Sequence, residues 1–353
     1  MSGIYAILSN HGFGHLSRSA SILSEFQTMR PELALAVASM HPPGIVHGLF
    51  QPGIELRRVA LDTGVASSDI LSFDPAATLQ RIQALHAEAD ELVRTEAAFV
   101  RERGLRLIVS DIAPLATRVA REAGVPCWMW GNFGWDEIYR DWGGALVHEA
   151  DRAAELYSAC DRLFRLPMHL PMAAFGHTID VGVTGRPTSR AAAEVRAHLP
   201  LDQRPIVLLA FGGLGQANLP FENAGRLEEF QFVSFSADAP ALPNLHRAAH
   251  TPLQPRDLLP LCDRVLSKPG YGMFCEVLQQ PAPFFCLERE GWAETPILLE
   301  ALRDYYRHRS VTSDEFFGPD WNFLRDTPRP PRGQAPALDG NDVILRHLNE
   351  YFA

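Results

Sequence analysis

Short runs of consecutive apolar residues alternate along this chain with longer stretches whose apolar positions recur every three or four residues. Ile4–Leu8 (IYAIL) predicts a strand buried on both faces, followed by a glycine-containing loop and then Leu16, Ala20, Leu23 and Phe26 on one helical face. Leu33–Ala38 and Ile54–Val59 predict the next two strands. Leu79, Ile82, Leu85, Ala89, Leu92, Val93, Phe99 and Val100 line one face of a long helix that Gly104 is placed to end. A strand over Leu107–Ser110, a helix over Leu115–Ala123 and a strand over Cys127–Trp130 continue the same order. It restarts with Ile179–Thr184 as a strand and Ala191–His198 as a helix, then strands at Ile206–Phe211, Phe230–Phe235, Arg264–Ser267 and Phe284–Leu287, with a helix opening at Phe274–Leu278. Residues 327–337 form a proline-rich connector, and Asn341–Tyr351 a last helix. Repeated strand–loop–helix order is the grammar of parallel α/β sheets. The expectation is an α/β protein of two doubly wound, Rossmann-like domains, 1–180 and 181–330, with 331–353 as connector and terminal helix.

A length of 353 residues suits two domains, and 42 acidic against 32 basic residues leave a net charge of −10. That balance argues against a nucleic-acid partner or a polybasic membrane binder. No apolar run is long enough to span a bilayer, and the start lacks a charged leader, so a cytoplasmic protein without a transmembrane segment is expected. The five cysteines include no C-x-x-C pair and read as buried free thiols. One residue, Lys268, is the only lysine. It is followed by Pro269, which excludes a Walker A loop, and a kinase V-A-I-K strand is likewise missing.

Ligands of open parallel sheets bind beyond the carboxyl ends of the strands, so the loops after strands carry the candidate chemistry. In Asn10–His15 (NHGFGH), Gly12 and Gly14 permit close backbone approach, and the following helix start favours negative charge. Ser17 stands where a dinucleotide fingerprint needs its third glycine, which disfavours a nicotinamide cofactor. His15 suits a general base, and Asp111 at a strand end suits its partner, although packing or helix capping explains either residue alone. Gly212, Gly213 and Gly215 offer backbone amides to a phosphate. Ser267–Glu276 supplies a cation (Lys268), glycines (Gly270, Gly272), Tyr271 and a carboxylate (Glu276) able to accept from a ribose diol. Asn132, Trp135 and Asp136, beside Tyr139 and Trp142, form an aromatic cluster that suits sugar stacking or simple core packing. Arg289 and Glu294 follow the strand at Phe284–Leu287 and are candidate contacts to sugar hydroxyls. No D-x-D pair is present, so no metal site is expected.

The stretch from Ser267 to Glu276 resembles the donor-binding segment of GT-B-fold glycosyltransferases. Leu61–Val65, Val109–Pro114, Asn132–Tyr139, Arg165–Pro167, Lys268–Gly272 and Arg289–Trp292 are similar, in order, to the glycosyltransferase-like N-terminal region of plant-type L-arabinokinases. The resemblance implies a GT-B fold whose two domains face across a cleft, a nucleotide-sugar donor on the C-terminal domain and a small-molecule or carbohydrate acceptor on the N-terminal one. It implies His15 as base, with Asp111 as partner. The expected donor residues are Gly12, Gly14, Gly212, Gly213, Gly215, Lys268, Gly270, Tyr271, Gly272, Glu276, Arg289 and Glu294, and Asn132, Trp135 and Asp136 are the expected acceptor residues. Lys268 stands where plant-type members often carry histidine, and the usual Asp-Gln pair is not evident, with Glu294 the candidate substitute. The expected activity is metal-independent, inverting sugar transfer that uses no cofactor beyond the nucleotide sugar. A non-catalytic sugar-nucleotide-binding module and an epimerase or hydrolase on the same fold are the alternatives.

Overall fold

The computed structural model describes residues 2–67, 72–212 and 219–353. In chain order the strands are β1 (Gly3–Leu8), β2 (Ala34–Ala38), β3 (Glu55–Arg57), β4 (Ala66–Ser67), β5 (Phe73–Asp74), β6 (Leu107–Asp111), β7 (Cys127–Gly131), β8 (Arg162–Arg165), β9 (Thr178–Asp180), β10 (Ile206–Leu209), β11 (Gln231–Ser234), β12 (Leu245–Arg247), β13 (Arg264–Ser267), β14 (Phe284–Leu287) and β15 (His308–Val311). A seven-stranded parallel sheet runs β3-β2-β1-β6-β7-β8-β9, and a six-stranded parallel sheet runs β12-β11-β10-β13-β14-β15. Each therefore winds outward from its first strand, then reverses to the other side, which is the Rossmann order. The antiparallel pair β4-β5 stands outside both sheets.

The apolar runs seen in the sequence form the central strands: β1, β6, β7 and β10 are buried along their whole length. Each fully buried Val, Leu or Phe side chain contributes about 1.5–3 kcal/mol of burial, so these strands anchor both cores. Several boundaries differ from the periodicity. The Ile179–Thr184 run is a strand only over Thr178–Asp180, and Ile206–Phe211 only over Ile206–Leu209, although Val181 N and Ala210 N still donate to the neighbouring strands at 3.1 and 2.9 Å. The helix expected from Phe274 begins at Tyr271, directly after N-capping Gly270. Helices at Trp135–Trp142 and Leu146–Ser158 go unread in the pattern, since buried aromatic and polar residues fill positions where an aliphatic stripe would be sought.

The proline-rich segment ends in the helix Gly340–Tyr351, which returns to the first half. Asn341 Nδ2 donates to the Ser21 carbonyl at 3.1 Å, Arg30 Nη2 to the Phe352 carbonyl at 3.1 Å, and the Tyr351 and Trp128 rings lie 5.3 Å apart. Chain that follows the second sheet thus packs on the first, tying the two together.

Candidate active site

Each sheet has one point where strand order reverses, between β1 and β6 in the first and between β10 and β13 in the second. His15 follows β1 and Asp111 ends β6; Gly212 follows β10 and Lys268 follows β13. The two reversal points face each other. A Cβ placed on Gly272 would meet the Gly14 Cα at 3.5 Å, and the Arg18 guanidinium lies 5.4 Å from the centre of the Tyr271 ring.

On the first wall, His15 Nδ1 is 2.7 Å from Asp111 Oδ1. Arg18, three residues further along the same helix, donates to both oxygens of that carboxylate at 2.6 and 2.5 Å, and Ser19 Oγ adds a 3.0 Å bond. The Trp130 indole donates in turn to Ser19 Oγ at 2.9 Å. Asp111 is fully buried; burial raises its pKa, but Arg18 and His15 outweigh burial and bring it to about 2. A carboxylate only accepts, so the Nδ1 proton belongs in the 2.7 Å Asp111 contact and Nε2 is the basic nitrogen; Arg18 Nη2, 3.0 Å from the same Nδ1, then donates to Asp111 Oδ1 instead. The backbone supports this placement: Ile112, next in chain, is β-branched yet sits at φ +52°. Tyr157 donates to its carbonyl at 2.7 Å, and strain of this kind concentrates at functional turns.

His11, on the same loop, stacks on Trp292 at 5.7 Å and meets Trp135 edge-on at 5.4 Å. Gly64 makes room for it: at φ +57°, a Cβ there would fall 2.6 Å from the His11 Cβ. Burial first, then the positive fields of His15, Lys268 and Arg289, push His11 down to about 3 and keep it neutral. Lys268, which follows β13 of the second sheet, thus acts electrostatically on a histidine of the first.

Contacts across the cleft continue through Asn132, which is fully buried at the end of β7. Arg18 Nη1 donates to its Oδ1 at 2.9 Å, while its Nδ2 donates to Glu294 Oε1. Donor-only arginine on one side and acceptor-only carboxylate on the other fix the orientation of the amide. The Trp292 indole occupies the second Glu294 oxygen at 3.0 Å. A hydrogen-bonded line therefore runs from Glu294 through Asn132 and Arg18 to Asp111.

The second wall is less complete. Gly270 caps the Tyr271–Gln279 helix without a side-chain bond, leaving first-turn amides toward the Lys268 loop. Glu276 is raised to about 7 by burial, partly opposed by Arg256, and its Oε2 has no partner among the described residues; the same is true of the Tyr271 hydroxyl. Gly212 sits at φ +99°, whereas Gly213 and Gly215 lie outside the described residues.

Other sequence candidates fall where their environments differ from the expectation. Trp135 is fully buried, donating to Asp62 Oδ2 at 3.0 Å and stacked on Tyr139 at 5.9 Å, so its ring presents no face to a sugar here. Asp136 turns inward, raised to about 6 by burial. Arg289 lies over Phe73 at 4.9 Å, at the rim of the cleft. Arg18, His11, Ser19, Asp62 and Trp292 escape the sequence reading. His11, Asp62 and Trp292 lie inside the stretches Asn10–His15, Leu61–Val65 and Arg289–Trp292, whereas Arg18 and Ser19 lie in none of them.

Two parallel Rossmann-like sheets with facing reversal points define the GT-B fold, the architecture of a large class of glycosyltransferases. The kitacinnamycin glycotransferase superposes with a TM-score of 0.59 at 16% identity, over 99% of this chain and 96% of that one. A glycosyltransferase of Streptomyces sp. SF2575, complexed with thymidine diphosphate, superposes with a TM-score of 0.58 at 15% identity, over 99% of both chains. At such identities the likeness establishes the fold alone. In sequence, the chain is similar to L-arabinokinase of Arabidopsis thaliana, 30% identical over 319 residues and 84% of this chain. The match lies in the N-terminal part of that relative and spans 29% of its length. No family model matches the chain. Among the described residues no helix is long and apolar enough to cross a membrane.

Proposed function

We propose that the chain is a metal-independent, inverting glycosyltransferase that moves a sugar from a nucleotide-diphosphate sugar to a hydroxyl acceptor. The observation that carries this reading is the meeting of the two reversal points, with the His15–Asp111 pair on one side and Lys268, glycines and free helix amides on the other. The half formed by 181–330 holds the donor, and the half formed by 1–180 supplies the base that faces the acceptor. Structural neighbours complexed with thymidine diphosphate and with UDP support a nucleoside diphosphate as the leaving group.

The donor diphosphate lies against Lys268 and the start of the Tyr271–Gln279 helix, and Glu276 accepts from the ribose hydroxyls. His15 Nε2 takes the proton of the acceptor hydroxyl as that oxygen attacks the anomeric carbon. The bond from this carbon to the diphosphate oxygen breaks, and its electron pair leaves with the nucleoside diphosphate. Lys268 and the amide dipoles offset the charge that grows on the leaving group, the task a metal performs elsewhere. Asp111 stabilises the imidazolium and stays ionised, held so by Arg18. Five cysteines without disulfides agree with a cytoplasmic setting.

The test is release of free nucleoside diphosphate from a panel of nucleotide sugars, with and without hydroxyl acceptors. Acceptor-dependent release that His15→Ala suppresses supports the reading. Equal release without acceptor marks a hydrolase or epimerase, and binding without release marks a non-catalytic module; either contradicts it.

A further inference from the structure

A cavity of about 810 Å³ opens beside the His15 cleft, between the β5 region of the first half and the loops that follow β14 and β15 in the second. Phe73 and Trp142 form its apolar side; Arg289, Glu288, Glu290 and Asp314 form its polar side. Two rings lead from its wall to the dyad: the Trp292 indole stacks on Phe73 at 4.5 Å and on His11 at 5.7 Å, and the His11 and His15 ring centres are 6.2 Å apart. Trp142 closes one end by donating to the Gly291 carbonyl at 3.0 Å.

Arg289 is the informative residue. It is 9% exposed, and its guanidinium carbon sits 4.9 Å from the Phe73 ring and 5.6 Å from the Trp292 ring. Its buried Nε has no acceptor among the described residues, although it lines the cavity. A buried donor without a partner costs about 1–3 kcal/mol, which a ligand oxygen would recover. A free acid group would meet this one guanidinium but also three carboxylates, an unfavourable balance at such short range. A ring bearing several hydroxyls meets every requirement: an oxygen accepts from Arg289, hydroxyl protons go to the carboxylates, and the C–H face lies on Phe73 and Trp142.

We infer that this cavity holds the acceptor, and that the acceptor is a sugar or glycoside ring without an acid group. The inference rests on the transferase reading for its role, but sugar binding is measurable without turnover. Saturation-transfer NMR with neutral methyl hexosides and methyl pentosides, and methyl glucuronide as the acidic counterpart, tests it on the intact chain. Neutral glycosides should receive saturation from the wild type, with methyl glucuronide weaker. Trp142→Ala should weaken binding about tenfold and Asp314→Asn about threefold, as expected for one stacking face and one exposed hydrogen bond. Nucleoside-diphosphate affinity, measured on the same variants, should be unchanged, which certifies that they fold. Absence of saturation transfer from wild type with every neutral glycoside, tighter binding of the glucuronide, or full binding by both variants would each overturn the assignment. Sugar binding without any nucleotide binding would sustain this site and remove the transferase reading. Acceptor-dependent turnover indifferent to Trp142→Ala and Asp314→Asn would do the reverse.

Discussion

The two halves repeat one topology but prepare their reversal points in opposite ways. Between β1 and β6, Asp111 accepts from His15, Arg18 and Ser19, and Arg18 is itself fixed by Asn132. Between β10 and β13, Glu276 Oε2 and the Tyr271 hydroxyl are buried without partners among the described residues, beside helix amides that no side chain caps. Proton transfer demands a fixed geometry before substrate arrives, because misplaced groups reorganise at the expense of the barrier. Donor binding instead needs polar atoms left for the ligand. The difference suits the first wall to the proposed chemistry and the second to the proposed donor recognition.

The largest break in this comparison is His15→Ala, which should slow acceptor-dependent turnover ~10²–10⁴-fold while leaving nucleoside-diphosphate affinity intact, as steady-state kinetics and calorimetry would read. Asp111→Asn strikes the same wall through stability. It leaves the Arg18 guanidinium buried without its anion, at a cost of about 3–5 kcal/mol in denaturant unfolding. Because Asp111 is depressed to about 2 in the folded protein, its stabilisation is present above the ordinary carboxylate pKa and is lost as pH falls through about 2. Wild type should therefore lose stability in acid more steeply than the variant.

On the second wall, Lys268→Ala should cost about 1.5–3 kcal/mol of nucleoside-diphosphate affinity, roughly one to two decades in Kd. The smallest effect sharpens the contrast most finely. Glu276 is raised to about 7 by burial, and its ionised form accepts on both oxygens and more strongly than the neutral acid. Affinity for a nucleoside diphosphate should rise a few-fold as pH climbs through about 7, and Glu276→Gln should flatten that dependence. A steep pH dependence surviving in Glu276→Gln would place the titrating group elsewhere.

Much of this arrangement is legible in the chain because its physics is local. A strand buried on both faces needs an unbroken apolar run, and β1, β10 and β14 show one; a loop that must approach phosphate needs glycine, and those after β1 and β13 have it. His15, Asp111 and Lys268 are conspicuous because they stand at or just beyond strand ends, where ligands of parallel sheets bind. Arg18 is not, since an arginine on an amphipathic helix ordinarily faces water, and the carboxylate that buries it lies 93 positions away. The Asn132–Glu294 bond spans 162 positions and joins different halves, so no local pattern encodes it. Trp135 reads as a sugar platform because aromatic composition does not distinguish a ring in a cleft from a ring in a core, and here Asp62 draws its indole inward. The C-terminal helix is visible as a helix, but its return to the first half follows from contacts such as Asn341 to Ser21.

The division of labour between the walls is tested most directly by titrating UDP and thymidine diphosphate calorimetrically into wild type, His15→Ala and Lys268→Ala. The account predicts one nucleotide bound per chain, with affinity kept in His15→Ala and weakened at least about tenfold in Lys268→Ala. No binding to wild type, or binding lost in His15→Ala and kept in Lys268→Ala, would contradict it.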